Sequence, residues 1–445
     1  MPINNTLKNI KEISNGDRIR LFLEDKTIEG ILMPTPELID SDDLIIKLEN
    51  GYNLGISKKK IKKIEILEKY KKQDLKNKDK ENKKDQERLK LPNVSILSTG
   101  GTISSKIDYR TGGVYADYTA DDFLEMMPEL KEIANIKAKK VLSLMSEDML
   151  PRDWLKISSI IAEEIKNGSD GIVITHGTDT MHFTSAALSF FFEKHNVPII
   201  ITGSQRSIDR GSSDAFLNLI CSVKAAAELN IGEVMTCMHG STNDDYCLLI
   251  RGTKVRKMHT SRRDAFRPIN DLAIAKVFSN KIEILNDFIK ADKNKKKEFV
   301  LKNNFEENIA LIYVYPGLEP DIINFYLEKK VKGIVIAATA LGHVNTWTEK
   351  SLLPNLKKCF EKKVPVFITS QTLYGSVNPY VYTNLRKLSV EAKAIYLNDL
   401  MPETAYIKLG WALAQEKDSN KIIELMLKNV KREFNDKITD KMFLN

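Results

Sequence analysis

Alternation of apolar strands with helical stretches, which recurs after residue 91, constrains the fold of this chain more than any other feature. Stretches with helical periodicity, such as PRDWLKISSIIAEEIKNG and DAFLNLICSVKAAAELN, lie between most of the strands. A further helix over residues 186–195 carries an aromatic run that predicts core packing. Such alternation predicts an α/β fold on a parallel sheet. The strands are VSILST, GIVITHG, VPIIITGS, EVMTCMHG, ALIYVYPG, GIVIAATA and VPVFITSQ.

This α/β region is predicted to form two domains. A chain of 445 residues is too long for one ordinary core. A polar, lysine-rich segment over residues 291–308 interrupts the strand–helix alternation. We therefore expect a larger domain over residues 91–300 and a smaller one over residues 301–445.

The residues before this region have a different pattern. GDRIRLFLEDKTIEGILM alternates polar and apolar residues, and LIIKLENGYNLGIS contains two strand-like runs around Asn50-Gly51, which is a hairpin signal. These short strands predict a small all-β module over residues 1–68, barrel-like and of the SH3 or Sm type. A module of this size is more typical of an adaptor than of a catalyst.

A basic segment over residues 69–90 follows the β module. It holds nine Lys and one Arg against five acidic residues, so it carries most of the chain's net charge of +8. The composition predicts a solvated linker, and an arm that contacts RNA is the alternative.

Other classes of protein are disfavoured by the composition. No apolar run approaches the roughly 18 residues that a membrane span needs, and the first residues lack the apolar core of a signal peptide. We therefore expect a cytoplasmic protein without a membrane partner. Four cysteines without CxxC spacing predict reduced core thiols, and His176 and His182 are poorly spaced for a shared metal, so no metal site is expected.

The ends of the predicted strands carry the residues with chemical potential. They read STGGT (98–102), THGTDT (175–180) and TGSQ (202–205), and ligands of open parallel sheets bind at such ends. The chain has no Gly-Lys dipeptide and no GxGxxG at its first strand, which disfavours a phosphate-binding loop. A hydroxyl nucleophile on a glycine turn is favoured. Purely structural turns or helix caps remain the alternative.

Two of these segments resemble the signatures of a known family. LPNVSILSTGGTIS (91–104) and ITHGTDTMHFTSAAL (174–188) are similar to the paired motifs of the asparaginase/glutaminase family. SEDMLPRDW, TGSQRSIDRGSSDAFLNL and KMHTSRRDAF extend the resemblance, which covers residues 91–445. The β module, with GYNLGIS, and the later run MPETAYIKLGWAL resemble one branch of that family, the archaeal glutamyl-tRNA(Gln) amidotransferase D subunits.

The resemblance implies a catalytic set. The second threonine of TGGT, Thr102, corresponds to the nucleophile of the family. Thr178 and Asp179 correspond to the Thr-Asp of its second motif, and Lys257, rather than Lys254, corresponds to its lysine. The last three are expected to form a proton relay. Which hydroxyl attacks in which step is left open by the sequence.

The resemblance also implies contacts to the substrate. Ser146 and Glu147 correspond to the family's substrate-holding pair, although many relatives carry glutamine or serine where this chain has glutamate. The family uses a tyrosine on a mobile lid after the nucleophile. Tyr109 fits that position best, and Tyr115 and Tyr118 are the alternatives.

The implied function is the release of ammonia from glutamine or asparagine. In the amidotransferase branch, ammonia passes to a subunit of the E type, a kinase and transamidase that activates Glu-tRNA(Gln) with ATP and forms Gln-tRNA(Gln). ATP and Mg are therefore expected in that partner, and no cofactor is expected in this chain. The chain is expected to form a homodimer within a heterotetramer and to meet Glu-tRNA(Gln) through that complex. A free-standing cytoplasmic L-asparaginase, and an inert RNA-binding protein, are the competing interpretations.

Overall fold

A computed structural model describes most of the chain. The described residues are 13–14, 16–33, 43–48, 53–69, 91–101, 103, 105–107, 114–116, 127–208 and 212–443. The predicted hairpin turn at Asn50-Gly51 and all but the first residue of the predicted linker lie outside them.

The N-terminal residues form an antiparallel sheet with a core of its own. Its order is β4-β3-β2-β1-β5, and a short 3₁₀ helix, Lys58–Lys60, precedes β5. Ile19 and Leu21 are fully buried while the residues between and before them face outward, as the period of two requires. The predicted all-β module is thus confirmed. Its strands are β1 (Arg18–Phe22), β2 (Thr27–Met33), β3 (Asp43–Lys47), β4 (Asn53–Ser57) and β5 (Lys63–Glu68).

The next part of the chain is the larger α/β unit. Its strands are β6 (Asn93–Gly100), β7 (Ser105–Ile107), β8 (Val114–Ala116), β9 (Asn135–Leu144), β10 (Gly171–Thr175), β11 (Phe192–His195), β12 (Ile199–Thr202), β13 (Val234–His239), β14 (Cys247–Arg251), β15 (Val255–Lys257), β16 (Phe266–Pro268), β17 (Ala275–Val277), β18 (Ile282–Ile284) and β19 (Phe299–Leu301). Its helices are α1 (Leu130–Ile133), α2 (Pro151–Lys166), α3 (Met181–Phe191) and α4 (Ala215–Glu228).

The main sheet of this unit is mixed, which differs from the parallel sheet that the sequence predicts. The order is β18-β17-β14-β13-β12-β10-β6-β9, and the five strands from β13 to β9 are mutually parallel. The three remaining strands, β14, β17 and β18, are antiparallel. The reason is the connection from β13 to β14 over residues 240–246, which is too short for the crossover that a parallel pair needs.

The smaller unit is a second α/β layer. Its strands form a parallel sheet in the order β20-β21-β22-β23. Its elements are β20 (Ala310–Tyr313), α5 (Asp321–Glu328), β21 (Ile334–Ala338), α6 (Leu353–Glu361), β22 (Val366–Ser370), α7 (Thr383–Arg386), a π-helical turn (Lys387–Glu391), β23 (Ile395–Tyr396), α8 (Pro402–Gln415) and α9 (Ser419–Leu427). The predicted two-part α/β fold is confirmed, whereas the predicted domain boundaries stay predictions.

Helices α3 and α8 join the two α/β units. The rings of Phe190 and Trp411 stack with centroids 5.6 Å apart, and both lie in one apolar core that spans the units. The aromatic run at 190–192 is fully buried, as predicted. The helix ends at Phe191, however, and the next residues form β11, which pairs with β19.

All four cysteines are buried and free, as predicted for core thiols. Among the described residues, no helix is both long and apolar enough to cross a membrane.

Candidate active site

The glycines of the TGGT stretch form a turn that brings three segments together. Gly100 and Gly101 have φ values of +108° and +75°, which side chains rarely adopt. A Cβ on Gly100 would overlap the carbonyl oxygen of Leu144, and one on Gly101 would overlap the backbone nitrogen of Gly177. A Cβ on Gly177 would in turn lie 2.8 Å from the Ser146 hydroxyl. Glycine is therefore required for the close approach of the ends of β6, β9 and β10.

Three of the predicted catalytic residues meet beside this turn. Lys257, at the end of β15, places its Nζ 2.8 Å from Thr178 Oγ1 and 2.8 Å from Asp179 Oδ1. Thr178 is buried and the Lys257 side chain is 10% exposed, whereas the Asp179 side chain is 63% exposed. The ammonium group thus links a buried hydroxyl to a carboxylate that ligands can reach. This geometry permits proton transfer along a hydroxyl–amine–carboxylate line.

Ser146 holds the loop that carries this relay. Its Oγ accepts a hydrogen bond from the backbone N–H of Asp179 at 3.2 Å, and its carbonyl accepts one from the Thr180 hydroxyl at 2.6 Å. Ser146 is buried, and the neighbouring Glu147 is exposed. Ser146 therefore lies beside the relay, Glu147 follows it in the chain, and the substrate-holding role of both stays a prediction.

Thr99 has a different environment from Thr178, the threonine that contacts Lys257. It is 1% exposed, and its Oγ1 donates to the carbonyl oxygen of Thr175 at 2.9 Å. The hydroxyl ties β6 to β10, which is the supporting role that follows when the other threonine of TGGT is the nucleophile.

His176, directly after β10, belongs to a buried hydrogen-bond chain, and its place at a strand end made such a role the favoured prediction over a metal ligand. The Trp154 indole donates to Thr184 Oγ1 at 3.0 Å, and Thr184 Oγ1 lies 2.9 Å from His176 Nε2. His176 Nδ1 lies 2.6 Å from the carbonyl oxygen of Gly177. Burial lowers the pKa of His176 to about 4, so the ring is neutral at pH 7 and supports the strand end rather than carrying charge.

Lys254 is committed to a contact elsewhere. Its Nζ lies 2.7 Å from Asp399 Oδ2, and both side chains are at most 1% exposed. A lysine buried in this ion pair does not reach the relay, whereas Lys257 contacts both Thr178 and Asp179, and its catalytic role stays a prediction.

Thr102 and Tyr109 lie outside the described residues, so their assignments stay predictions. Among the residues that are described, no group of three or more His, Cys, Asp or Glu side chains is placed to hold a metal ion.

Comparison with known families gives matches to three successive parts of the chain. Residues 13–67 match the GatD N-terminal domain, residues 93–290 match the N-terminal domain of asparaginase, and residues 308–426 match the glutaminase/asparaginase C-terminal domain.

Curated relatives match over nearly the full length. The D subunit of the glutamyl-tRNA(Gln) amidotransferase from Pyrococcus horikoshii is 46% identical over 94% of both chains. The protein of the same name from Methanosphaera stadtmanae is 44% identical over 98% of both.

Solved structures of asparaginases match a shorter part of the chain. The thermostable L-asparaginase from Thermococcus kodakarensis is 29% identical with a TM-score of 0.70, and the match covers 78% of this chain and 100% of that one. A probable cytoplasmic L-asparaginase from Campylobacter jejuni is 26% identical with a TM-score of 0.62, over 76% of this chain and 100% of that one.

Proposed function

Because the chain belongs to the family of glutamyl-tRNA(Gln) amidotransferase D subunits, we propose that it is the glutaminase subunit of a tRNA-dependent amidotransferase. It hydrolyses the side-chain amide of glutamine or asparagine, and the ammonia converts Glu-tRNA(Gln) to Gln-tRNA(Gln). The observation that carries this proposal is the extent of the family match, which includes the β module at residues 13–67. The asparaginase structures leave about a fifth of the chain unmatched.

The first half of the reaction releases ammonia. In our proposal the Thr102 oxygen bonds to the amide carbon and loses its proton to the relay. The carbon–nitrogen bond then breaks, and the leaving nitrogen takes a proton from the relay, which gives ammonia and an ester on Thr102. Lys257, with hydrogen bonds to both Thr178 and Asp179, is the group that can pass the proton.

The second half frees the enzyme. Water attacks the ester carbon, gives its proton to the relay, and the proton returns to the Thr102 oxygen as glutamate or aspartate leaves. Lys257 lies against Oδ1 of Asp179, and the side chain is 63% exposed, so we propose that its other oxygen, Oδ2, binds the α-ammonium group of the substrate. Ser146 and Glu147 complete the substrate-binding edge.

The name of the relatives, which are D subunits, implies partner subunits. We propose that the partner is a kinase and transamidase of the E type, that ATP and Mg are used there, and that tRNA binds to the complex. A homodimer of this chain within a heterotetramer is the assembly that we propose.

An assay of ammonia transfer tests the function. The chain is supplied with glutamine, with and without its partner subunit and Glu-tRNA(Gln), and both free ammonia and Gln-tRNA(Gln) are measured. We expect Gln-tRNA(Gln) with the partner present. Vigorous asparagine hydrolysis by the chain alone, together with no transfer in the complex, would instead identify a free-standing L-asparaginase.

The same assay tests the nucleophile. Thr102→Ala is expected to abolish amide cleavage without unfolding the chain, whereas Thr99→Ala is expected to keep most of it. The reverse result would show that Thr99 attacks.

A further inference from the structure

The strand that carries Lys257 is held to the larger unit by the packing of Val255 in the apolar core and is not paired with the main sheet. Strand β15 has three residues and pairs with β16 in a two-stranded ribbon that is separate from the eight-stranded sheet. Thr178 and Asp179, in contrast, follow β10 in the middle of that sheet. The distance from Lys257 to its two partners therefore depends on how the ribbon is held.

Arg256 anchors the middle of the ribbon. Its Nη1 donates to Glu403 Oε1, and the Glu403 side chain is 7% exposed. Because neighbouring side chains of a strand point to opposite faces, Arg256 reaches away from the face on which Lys257 meets the relay. A shift of this anchor moves the backbone to which Lys257 belongs.

Glu403 is itself held firmly by the smaller unit. It lies in the first turn of α8, the helix whose Trp411 stacks on Phe190 of α3. Its Oε1 also accepts a hydrogen bond from the hydroxyl of Tyr313 at 2.7 Å. Burial and the Glu403 charge raise the pKa of Tyr313, so this hydroxyl keeps its proton and remains a donor.

The group of polar side chains around Glu403, which includes Arg256, Tyr313 and His182, is more polar than a purely structural contact needs to be. Glu403 Oε2 and Nδ1 of the nearby His182 are both buried and lack a hydrogen-bond partner among the described residues. His182 is the second residue of α3, three positions after Asp179. An unpaired buried polar atom lowers stability, and replacing a buried ion pair by apolar groups is often neutral or stabilising. Polar clusters that reduce stability in this way occur at functional sites.

We propose that Glu403 is a positioning residue that, through Arg256, holds the β15 ribbon so that Lys257 Nζ lies within hydrogen-bond distance of both Thr178 and Asp179. The smaller unit thereby sets the geometry of a site whose reacting groups lie in the larger one. This inference rests on the proposed amide hydrolysis.

A double-mutant cycle in the complex with the partner subunit tests the proposal. We measure kcat and KM for ammonia release from glutamine in Glu403→Gln, Arg256→Gln and the double variant. Since misplacement by about 1 Å can cost about 100-fold, each single change is expected to lower kcat by about 10-fold to 100-fold, with KM nearly unchanged. The double variant should be no slower than the slower single variant, because both changes break the same link.

Glu233→Gln is the matched control. Glu233 also accepts a hydrogen bond from an arginine, Arg251, and both side chains are about 5% exposed. This pair lies at the amino end of β13, on the opposite edge of the sheet from the relay. We expect Glu233→Gln to reduce stability and to leave the kcat of the folded protein unchanged.

Three outcomes would overturn the proposal. They are an unchanged kcat in Glu403→Gln, an equal loss of kcat in Glu233→Gln, or losses that multiply in the double variant. If Glu403→Gln does not fold, Arg256→Gln, whose side chain is 24% exposed, carries the comparison with Glu233→Gln. A wild-type complex that releases no ammonia would refute the proposed function, whereas a wild type that does, with an unaffected Glu403→Gln, refutes only the positioning role.

Discussion

At the scale of single residues, the side chains that a lysine contacts determine whether it can take part in proton transfer. Lys254 and Lys257 are three positions apart. Lys254 forms a buried ion pair with Asp399, whereas Lys257 contacts Thr178 and the exposed Asp179. The sequence alone shows two similar lysines, and only the resemblance to a family favoured the second. Their environments differ because the chain folds Asp399 from the smaller unit against Lys254.

Replacement of these two lysines should separate activity from stability. Lys257→Met is expected to lower kcat for ammonia release by about 10²-fold to 10⁴-fold, because it removes the proton carrier. Lys254→Met leaves Asp399 buried without its cation and should lower the free energy of unfolding by about 3–5 kcal/mol. Ammonia release and urea denaturation of both variants measure the two effects. If the two variants lost the same activity and the same stability, the assignment of Lys257 to catalysis and of Lys254 to structure would be contradicted.

His176 makes the stability of the larger unit sensitive to pH. Its pKa is lowered to about 4 by burial, whereas an unfolded chain protonates histidine near 6.5. Between these values the unfolded state binds the proton and the folded state does not, so the contribution of His176 to the free energy of unfolding falls by about 3 kcal/mol as pH falls from 6.5 to 4. Denaturation of His176→Gln across this range should show a shallower pH dependence than the wild type. Identical slopes would show that His176 takes no part in it.

At the scale of elements, the turn after β6 is what brings the site together. Gly100 and Gly101 let the backbone pass so close to Leu144 and Gly177 that no side chain fits. The sequence predicted a glycine turn that presents a hydroxyl. It could not predict which segments the turn would touch, because those contacts depend on the order of strands in the sheet.

Two glycines with positive φ provide a test of this crowding. Gly168, two residues after the end of α2, has φ +97°, and nothing lies within 4 Å of the position that a Cβ would take. Gly168→Ala should therefore cost only the backbone strain, about 1–2 kcal/mol. Gly101→Ala also has a strained backbone, at φ +75°, and must in addition displace Gly177. We expect a larger loss of unfolding free energy and about 100-fold slower ammonia release. Similar behaviour of the two variants would show that the close approach is unimportant.

The elements that the sequence predicted are those with strong local signals. The seven apolar strands and the strand-end motifs were identified because burial and turn residues leave a pattern in neighbouring positions. The antiparallel strands β14, β17 and β18 were missed because β17 and β18 have only three residues each and because the direction of all three follows from tertiary pairing. The link between Arg256 and Glu403 joins residues 147 positions apart, and no local pattern connects them.

At the scale of the whole molecule, the two α/β units and the β module are connected in different ways. The α/β units share one apolar core through α3 and α8, so the smaller unit can affect the site in the larger one. The β module has a separate core over residues 19–64. The asparaginase from Thermococcus kodakarensis matches 78% of this chain over its own full length, which indicates that an α/β core of this kind is sufficient for an independent fold.

Removal of the β module and linker should therefore separate hydrolysis from transfer. A variant that begins at residue 91 keeps the shared core and all the proposed catalytic residues, so we expect it to fold and to release ammonia from glutamine or asparagine as the full chain does. Because a small β module is typical of an adaptor, we expect the variant to lose the formation of Gln-tRNA(Gln) with the partner subunit. The measurements are ammonia release, Gln-tRNA(Gln) formation and the melting temperature of the variant and the full chain. Full transfer by the variant would show that the module is dispensable for coupling, and loss of hydrolysis at an unchanged melting temperature would show that the module acts on the site itself.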